Sequence, residues 1–396
     1  MPGFEFFGAE ERKEVEDVLN SGILMRYGFD VQRDNHWKAR ELESAINEYV
    51  GVKHTHLVSS GTAALSVALA ALGIGAGDEV IMPSFTFVAS FEAVLSVGAV
   101  PVIADVDDTL TLSPASVSQL ISPKTKAIMP VHMCGGMADM DTLMQLCNTH
   151  NLLLLEDACQ SFGASYKGQY LGSIGHAGAF SFDFVKTITC GEGGAVVTND
   201  RDIYLRADAY SDHGHDHLGV DRGADLHPFI GYNFRISELH AAVGLAQIRK
   251  VDQILSLQRK HKRMLKDALA ELPGITFRRL PDEHGDNASF LSIFLPDENT
   301  ARKTAAAMKA AGLPAFYWYD NNWHYFRNWE HFQQSKTLYR LSAEQENAMA
   351  QYSGKQFPES DAIMSRCISM PINLNQSYAE LESRKEKMVT VMKEIL

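Results

Sequence analysis

The stretch FSFDFVKTITCGEGG, residues 180–194, ends an aromatic run on a lysine and follows it with two threonines and three glycines. Phe180, Phe182 and Phe184 alternate with Ser181, Asp183 and Val185, which predicts a strand with one strongly apolar face. Lys186 then stands where that strand meets the interior or a cleft. Desolvating an ammonium is costly and depresses its pKa, so such a lysine either snorkels to the surface or is an amine kept ready as a nucleophile. Three further places could complete a site. Ser60-Gly61-Thr62 opens the helical run AALSVALAALG, where unpaired N–H groups and the helix dipole suit a phosphate, although the triplet also reads as an ordinary N-cap. Phe87, in PSFTF after the apolar VIM, suits the face of a planar ligand or a core position. Asp157 closes the apolar run LLLLED and needs a cationic or hydrogen-bonding partner there.

No Walker A sequence, GxGxxG fingerprint, HExxH or GxSxG is present, so the usual phosphate, nicotinamide, zinc and serine-hydrolase patterns are absent. A lysine, an acid, an aromatic ring and a phosphate cup at successive strand ends form the set that pyridoxal phosphate requires.

The elements that must position these residues alternate along the chain. THLVSS precedes the helix just named, VIM and PVIADV flank the helical FVASFEAVLSVG, and Ser113-Pro114 caps SPASVSQLI. KAIMPVHM and LLLLEDA flank the helical ADMDTLMQLCNTH. Such βαβ units with apolar strands predict a mostly parallel sheet covered on both faces, with ligands at the strands' carboxyl ends. Residues 237–269 read as one long helix crossing from a large domain, 1–255, to a smaller α/β domain, 256–396, and residues 334–360 read as a polar loop or flap.

The 396 residues are 45% hydrophobic with a formal charge of −13, which argues for an enzyme-sized globular protein and against nucleic acid or a membrane surface as the main partner. The apolar run at residues 80–104 is interrupted by Pro83, Glu92 and Pro101, which argues against a membrane span. Five cysteines without a CxxC pair, and acids where a signal peptide would be basic, point to a reducing cytoplasm.

SSGTAAL, GDEVIMPSFTFVAS, GAVPVIADVD, LLEDACQSFGASYKGQYLGSIG, FSFDFVKTITCGEGGAVVTND and GYNFRIS together resemble, in order, the DegT/DnrJ/EryC1/StrS family of sugar aminotransferases. The resemblance implies a type I, aspartate aminotransferase-like fold, a pyridoxal phosphate cofactor, and a homodimer with active sites shared between subunits. It implies Lys186 as the Schiff-base lysine and Asp157 as partner of the pyridine nitrogen. Phe87 would stack on the ring, Gln160 would contact its face or phenolic oxygen, and Gly61, Thr62 and Ser181 would bind the phosphate. Asn233 would reach the phosphate of the neighbouring subunit. A subgroup with histidine in place of the lysine dehydrates keto-sugars, so Lys186 implies transamination.

The variable blocks RYGFDVQRDNHWKARELE, VHMCGGMADMD, DHGHDHLGVDRG, FYWYDNNWHYFRNWEH and SDAIMSRCISMPI resemble a branch of that family serving lipopolysaccharide synthesis. They imply transfer of the amino group of L-glutamate to the C8 aldehyde of 8-dehydro-3-deoxy-D-manno-octulosonate. The products would be 8-amino-3,8-dideoxy-D-manno-octulosonate and 2-oxoglutarate. A nucleotide-linked keto-sugar is the alternative acceptor, and a non-catalytic cofactor-binding regulator is a further reading of the same fold. A sugar acid needs cations, for which Arg26, His215, Arg222, Arg235 and His324 are candidates; any of them could instead sit in a structural ion pair. His213, His215 and His217 share a face only on a strand, which Gly214 weakens, so a cationic rim is expected there and no metal site. The aromatic block at 316–331 suits either small-domain core or a sugar-stacking wall.

Overall fold

The computed structural model describes residues 3–34, 36–218 and 223–396. Its strands are β1 (His54–Val58), β2 (Glu79–Pro83), β3 (Val100–Ala104), β4 (Thr125–Ile128), β5 (Leu153–Asp157), β6 (Ser165–Tyr166), β7 (Gln169–Tyr170), β8 (Ala177–Ser181), β9 (Gly194–Thr198), β10 (Thr276–Phe277), β11 (Phe290–Phe294) and β12 (Cys367–Pro371). Seven form one sheet in the order β1-β9-β8-β5-β4-β2-β3. The pairs β2 with β3, β2 with β4, β4 with β5, and β5 with β8 are parallel, and β9 runs against both its neighbours. The crossovers are α3 among the helices α1 (Ala9–Ser21), α2 (Lys38–Val50), α3 (Gly61–Ala71), α4 (Ala89–Ser96), α5 (Pro114–Leu120), α6 (Met140–His150) and α7 (Arg201–Ser211), together with α4, α5 and α6. The strands and crossover helices bury apolar side chains in contiguous clusters, as a sheet covered on both faces must.

The sheet brings the ends of β5 and β8, the loop after β2 and the start of α3 to one rim. Ser60 caps α3 by accepting from the N–H of Ala63 at 3.0 Å, and Ser113 caps α5 with Pro114 behind it. The strand at β8 ends at Ser181, earlier than the aromatic alternation implies. Residues 183–186 form a turn in which Lys186 N–H donates to the Asp183 carbonyl at 3.0 Å. Phe180 and Phe182 are therefore core, whereas Phe184 is exposed on the turn and stacks on Phe4 at 4.7 Å.

The long helix expected over 237–269 is two helices, α8 (Glu238–Ile248) and α9 (Val251–Ala270). Gln247 and Lys250, on either side of the break, both donate to Glu11 of α1, at 2.7 Å each, which anchors the junction to the N-terminal helix. No proline or glycine marks that break in the sequence. α9 runs unbroken through residue 255 towards a second, three-stranded antiparallel sheet, β10-β11-β12, flanked by α10 (Glu298–Ala310) and the final helix.

Residues 334–360 are not a flap. They carry α12 (Ala343–Ala350), which follows α11 (Glu330–Gln333), and lead into α13 (Pro358–Met364), ahead of α14 (Tyr378–Ile395). Leu341, Met349, Tyr352 and Phe357 are buried in the same cluster as α3 and β2, together with Phe326, Trp329 and Phe332. The chain thus returns to the large sheet after building the small one. No helix among the described residues is long and apolar enough to cross a membrane.

Candidate active site

A cavity of 410 Å³ opens at the rim where β5, β8, α3 and the loop after β2 converge, and Gly61, Thr62, Phe87, Asp157, Gln160, Ser181, Lys186 and His324 all line it. Gly61 is required by close approach: a Cβ there would stand 2.6 Å from Ser181 Cβ and 3.2 Å from Cys159 Sγ. Its absence lets the first turn of α3, with backbone N–H groups the helix itself leaves unpaired, stand directly against Ser181.

Asp157 ends β5 almost wholly buried. Its Oδ2 accepts from Ser90 Oγ at 2.8 Å and its Oδ1 accepts from the N–H of Cys159 at 3.2 Å. Ser90 Oγ is in turn 2.6 Å from Thr86 Oγ1, giving a hydroxyl chain that orients the carboxylate. Gln160 Oε1 accepts from the N–H of Cys134 at 3.1 Å, which fixes its amide against the cavity wall. Lys186 forms no ion pair with any described carboxylate, so its amine is free to face the cavity. Cys159 also lines the space, but burial, reinforced by Asp157, raises its pKa well above the usual range and keeps it a neutral thiol.

Phe87 lies on the opposite wall, its ring 5.3 Å from that of His324 and 5.7 Å from that of Trp323. The chain around these last two runs alongside the loop after β2: Thr86 N–H donates to the His324 carbonyl and Val88 N–H to that of Trp323, both at 2.9 Å. Burial first, and the Lys186 charge second, pull His324 down to about 4, so its imidazole is neutral at neutral pH. The aromatic block divides accordingly: Trp318 and Trp329 are core, whereas Trp323 is 62% exposed and forms cavity wall.

Of the other cations expected at the site, Arg26, His215 and Arg235 do not line this cavity. Arg26 is buried, donating to Glu43 Oε1 and to the Leu57 carbonyl, each at 2.7 Å. Arg235 pairs with Asp212, and His215 lies 3.6 Å from Asp225 with its ring 4.3 Å from that of His227. For both arginines a carboxylate of the chain claims the cation. Arg222 lies outside the described residues. Asn233 is exposed and away from this cavity, bridged to Asp212 by backbone pairing. The sequence reading missed Thr86 and Ser90, and placed Trp323 only within the aromatic block that suits a sugar-stacking wall. Two hydroxyls four residues apart in the otherwise apolar FTFVAS were the available sign of the first two.

These residues fit pyridoxal phosphate. The Gly61 cradle and Ser181 offer phosphate donors, the held carboxylate of Asp157 suits a protonated pyridine nitrogen, Phe87 offers a ring face, and Lys186 an unpaired amine. Among curated proteins, the chain is 42% identical to GDP-perosamine synthase of Caulobacter vibrioides over 59% of this chain and 62% of that one. It is 38% identical to GDP-perosamine synthase of Vibrio cholerae over 66% and 69% respectively. The first of these matches thus spans less than two thirds of the relative's length. Among solved structures, an aminotransferase from Psychrobacter cryohalolentis superposes with a TM-score of 0.85 at 28% identity, covering 98% of both chains. A 3-amino-5-hydroxybenzoic acid synthase superposes at 0.80 with 30% identity, covering 98% of this chain and 97% of that one. The type I aminotransferase architecture is thereby established, and the family model matches residues 6–388. The chain belongs to the DegT/DnrJ/EryC1/StrS aminotransferase family.

Proposed function

We propose that this protein is a pyridoxal phosphate-dependent aminotransferase that moves the amino group of L-glutamate to a carbonyl carbon of a sugar. The observation that carries this reading is the single cavity in which an unpaired Lys186 faces Asp157, Phe87 and the Gly61 cradle. When bound, the cofactor supplies an electron sink and carries the amino group between donor and acceptor. Asp157, held by Ser90 and the Cys159 amide, keeps a proton on the pyridine nitrogen. Lys186 Nζ takes a proton from the donor's α-carbon and returns one to the sugar carbon, a role for which an amine free of any carboxylate is suited. Neutral His324 and Phe87 wall the cavity and exclude water from that exchange. The active unit is a homodimer, in which Asn233, remote from its own cavity, serves the phosphate of the neighbouring copy.

Two acceptors remain in play. The likeness to GDP-perosamine synthases favours a nucleotide-linked keto-sugar. The variable blocks, from residues 26–43 to the aromatic run at 316–331, favour the C8 aldehyde of 8-dehydro-3-deoxy-D-manno-octulosonate, and Trp323 supplies an exposed ring for either sugar.

The test is the visible spectrum of the holoenzyme. L-glutamate should bleach the bound cofactor's band, the correct acceptor should restore it, and Lys186→Ala should abolish both changes. Restoration by the eight-carbon sugar acid alone selects the second acceptor, and restoration by a GDP-linked keto-sugar alone selects the first. Failure of glutamate to bleach the wild-type spectrum would overturn the reading.

A further inference from the structure

Trp323 belongs to more than the cofactor cavity. It also lines a second cleft, of 610 Å³, with Asn322, Arg327, Glu330, His331 and Lys336 among others. Trp323 lines both spaces. Its backbone is pinned by the Val88 amide and by its own N–H donating to Asn321 Oδ1 at 2.9 Å, while its indole remains 62% exposed. The two spaces thus share one exposed ring on a pinned backbone.

With 49 acidic and 36 basic residues, this chain has a surplus of carboxylates available to cations, and Arg26, Arg33 and Arg235 are each taken by one. Arg327 is not. Its Nη1 donates to the Tyr319 hydroxyl and its guanidinium lies 4.5 Å from the centre of that ring, an arrangement that fixes the fork without neutralising it. Lys336 has no ion pair with a described carboxylate either, and its backbone is tied to the His331 carbonyl at 2.8 Å. Glu330 is the one acid lining the same space.

We propose that this cleft is the subsite for the anionic end of the acceptor, with Arg327 and Lys336 as its cationic partners and Trp323 as the ring against which the sugar lies. The inference rests on the sugar-aminating reading above and adds the chemistry of recognition: the ligand group is an oxyanion. A sugar carboxylate and a nucleotide diphosphate both supply one. Arg327 suits either because a planar fork can bind two oxygens at once, and Lys336 adds a mobile point charge.

The test uses the holoenzyme and three acceptors: the eight-carbon sugar acid, a GDP-linked keto-sugar, and an uncharged sugar aldehyde. Arg327→Ala and Lys336→Ala should each raise KM for the productive anionic acceptor by about tenfold, the effect of one charge-assisted hydrogen bond in a partly solvated cleft. The double variant should raise it by roughly a hundredfold, and Arg327→Lys should recover part of the loss. The uncharged aldehyde should respond far less to each change. Inhibition of the wild type by GDP, or by 3-deoxy-octulosonate, tells which source of oxyanion the subsite takes. Because Arg327 also touches Tyr319, the exposed Lys336 provides the second variant should Arg327→Ala fail to fold. Equal losses for charged and uncharged acceptors, or an unaltered KM in Lys336→Ala, would overturn the subsite. A wild-type protein that glutamate does not bleach would instead overturn the aminotransferase reading.

Discussion

Two buried polar regions of this molecule contain the same kinds of residue and treat them in opposite ways. Beside edge strand β1, three cations meet three carboxylates. Arg26 pairs with Glu43, Arg235 with Asp212, and His217 lies between Asp208 and Asp212 at 3.0 Å from each. Tyr27 donates to Asp208 at 2.8 Å and stacks on His217 at 4.2 Å. His56, although 3.5 Å from Asp208, is not an ion pair: burial first and the Arg26 charge second pull it down to about 3, and it bonds Ser211 as a neutral ring. In the cofactor cavity, by contrast, Lys186 and Asp157 have no ionic partner among the described residues, and the carboxylate is held by a hydroxyl and an amide. Charges answered within the chain build structure; charges left for a ligand build a site.

The largest break in this contrast comes from Arg26. Replacing it by alanine leaves Glu43 buried without its cation, which should lower the free energy of unfolding by about 3–5 kcal/mol. Urea unfolding at fixed protein concentration measures this, and Arg26→Met with Glu43→Leu should recover most of the loss. A small effect of Arg26→Ala, with a raised acceptor KM, would return this arginine to the substrate site.

A smaller effect, and a pH signature, belongs to His217. Burial opposes its protonation, but hydrogen bonds to Asp208 and Asp212 prevail and hold its pKa up at about 9. A folded pKa above the unfolded value of about 6.5 contributes stability fully present below that value and lost as pH rises through 9. His217→Gln should therefore cost roughly 2 kcal/mol at pH 6, a figure reduced for the partial exposure of the ring, and little above pH 9.5. A gap in unfolding free energy that stays constant between the two pH values would show that His217 packs there as a neutral ring.

The same contrast explains what could be read in advance. Gly61, Thr62, Phe87, Asp157, Gln160, Ser181 and Lys186 share one cavity because each ends a strand, opens a helix or lies in the turn just after a strand, and a parallel sheet brings such ends together. The cations proposed for the substrate rest on charge and on their place in the variable blocks, and of the described ones His324 lines the cavity while Arg26, His215 and Arg235 do not. Nothing local in RYGF reveals that Glu43, Leu57 and Arg26 meet across α2 and β1. The packing of Leu341, Met349, Tyr352 and Phe357 was equally hidden, because four apolar residues spread over seventeen positions carry no period. The break at Arg249–Lys250 depends on Glu11, more than two hundred residues away.

The smallest expected effect sharpens the cavity side. Asp157 has two donors, and Ser90 is the one supplied by a side chain. In that bond Ser90 donates, so the Thr86 hydroxyl 2.6 Å away must donate to Ser90, and the chain is directional. Ser90→Ala deletes the link without adding bulk, leaving the Cys159 amide to orient the carboxylate alone. The expected cost is about tenfold in kcat/KM, close to 1.4 kcal/mol, with weaker retention of the cofactor in dialysis and little change in the unfolding of the apoprotein. Thr86→Val should give a weaker copy of that loss, since it removes the donor to Ser90 and leaves the bond to Asp157 in place. If Thr86→Val proved the more damaging of the two, the hydroxyl chain would not be acting through Asp157, and Thr86 would have to meet the ligand itself.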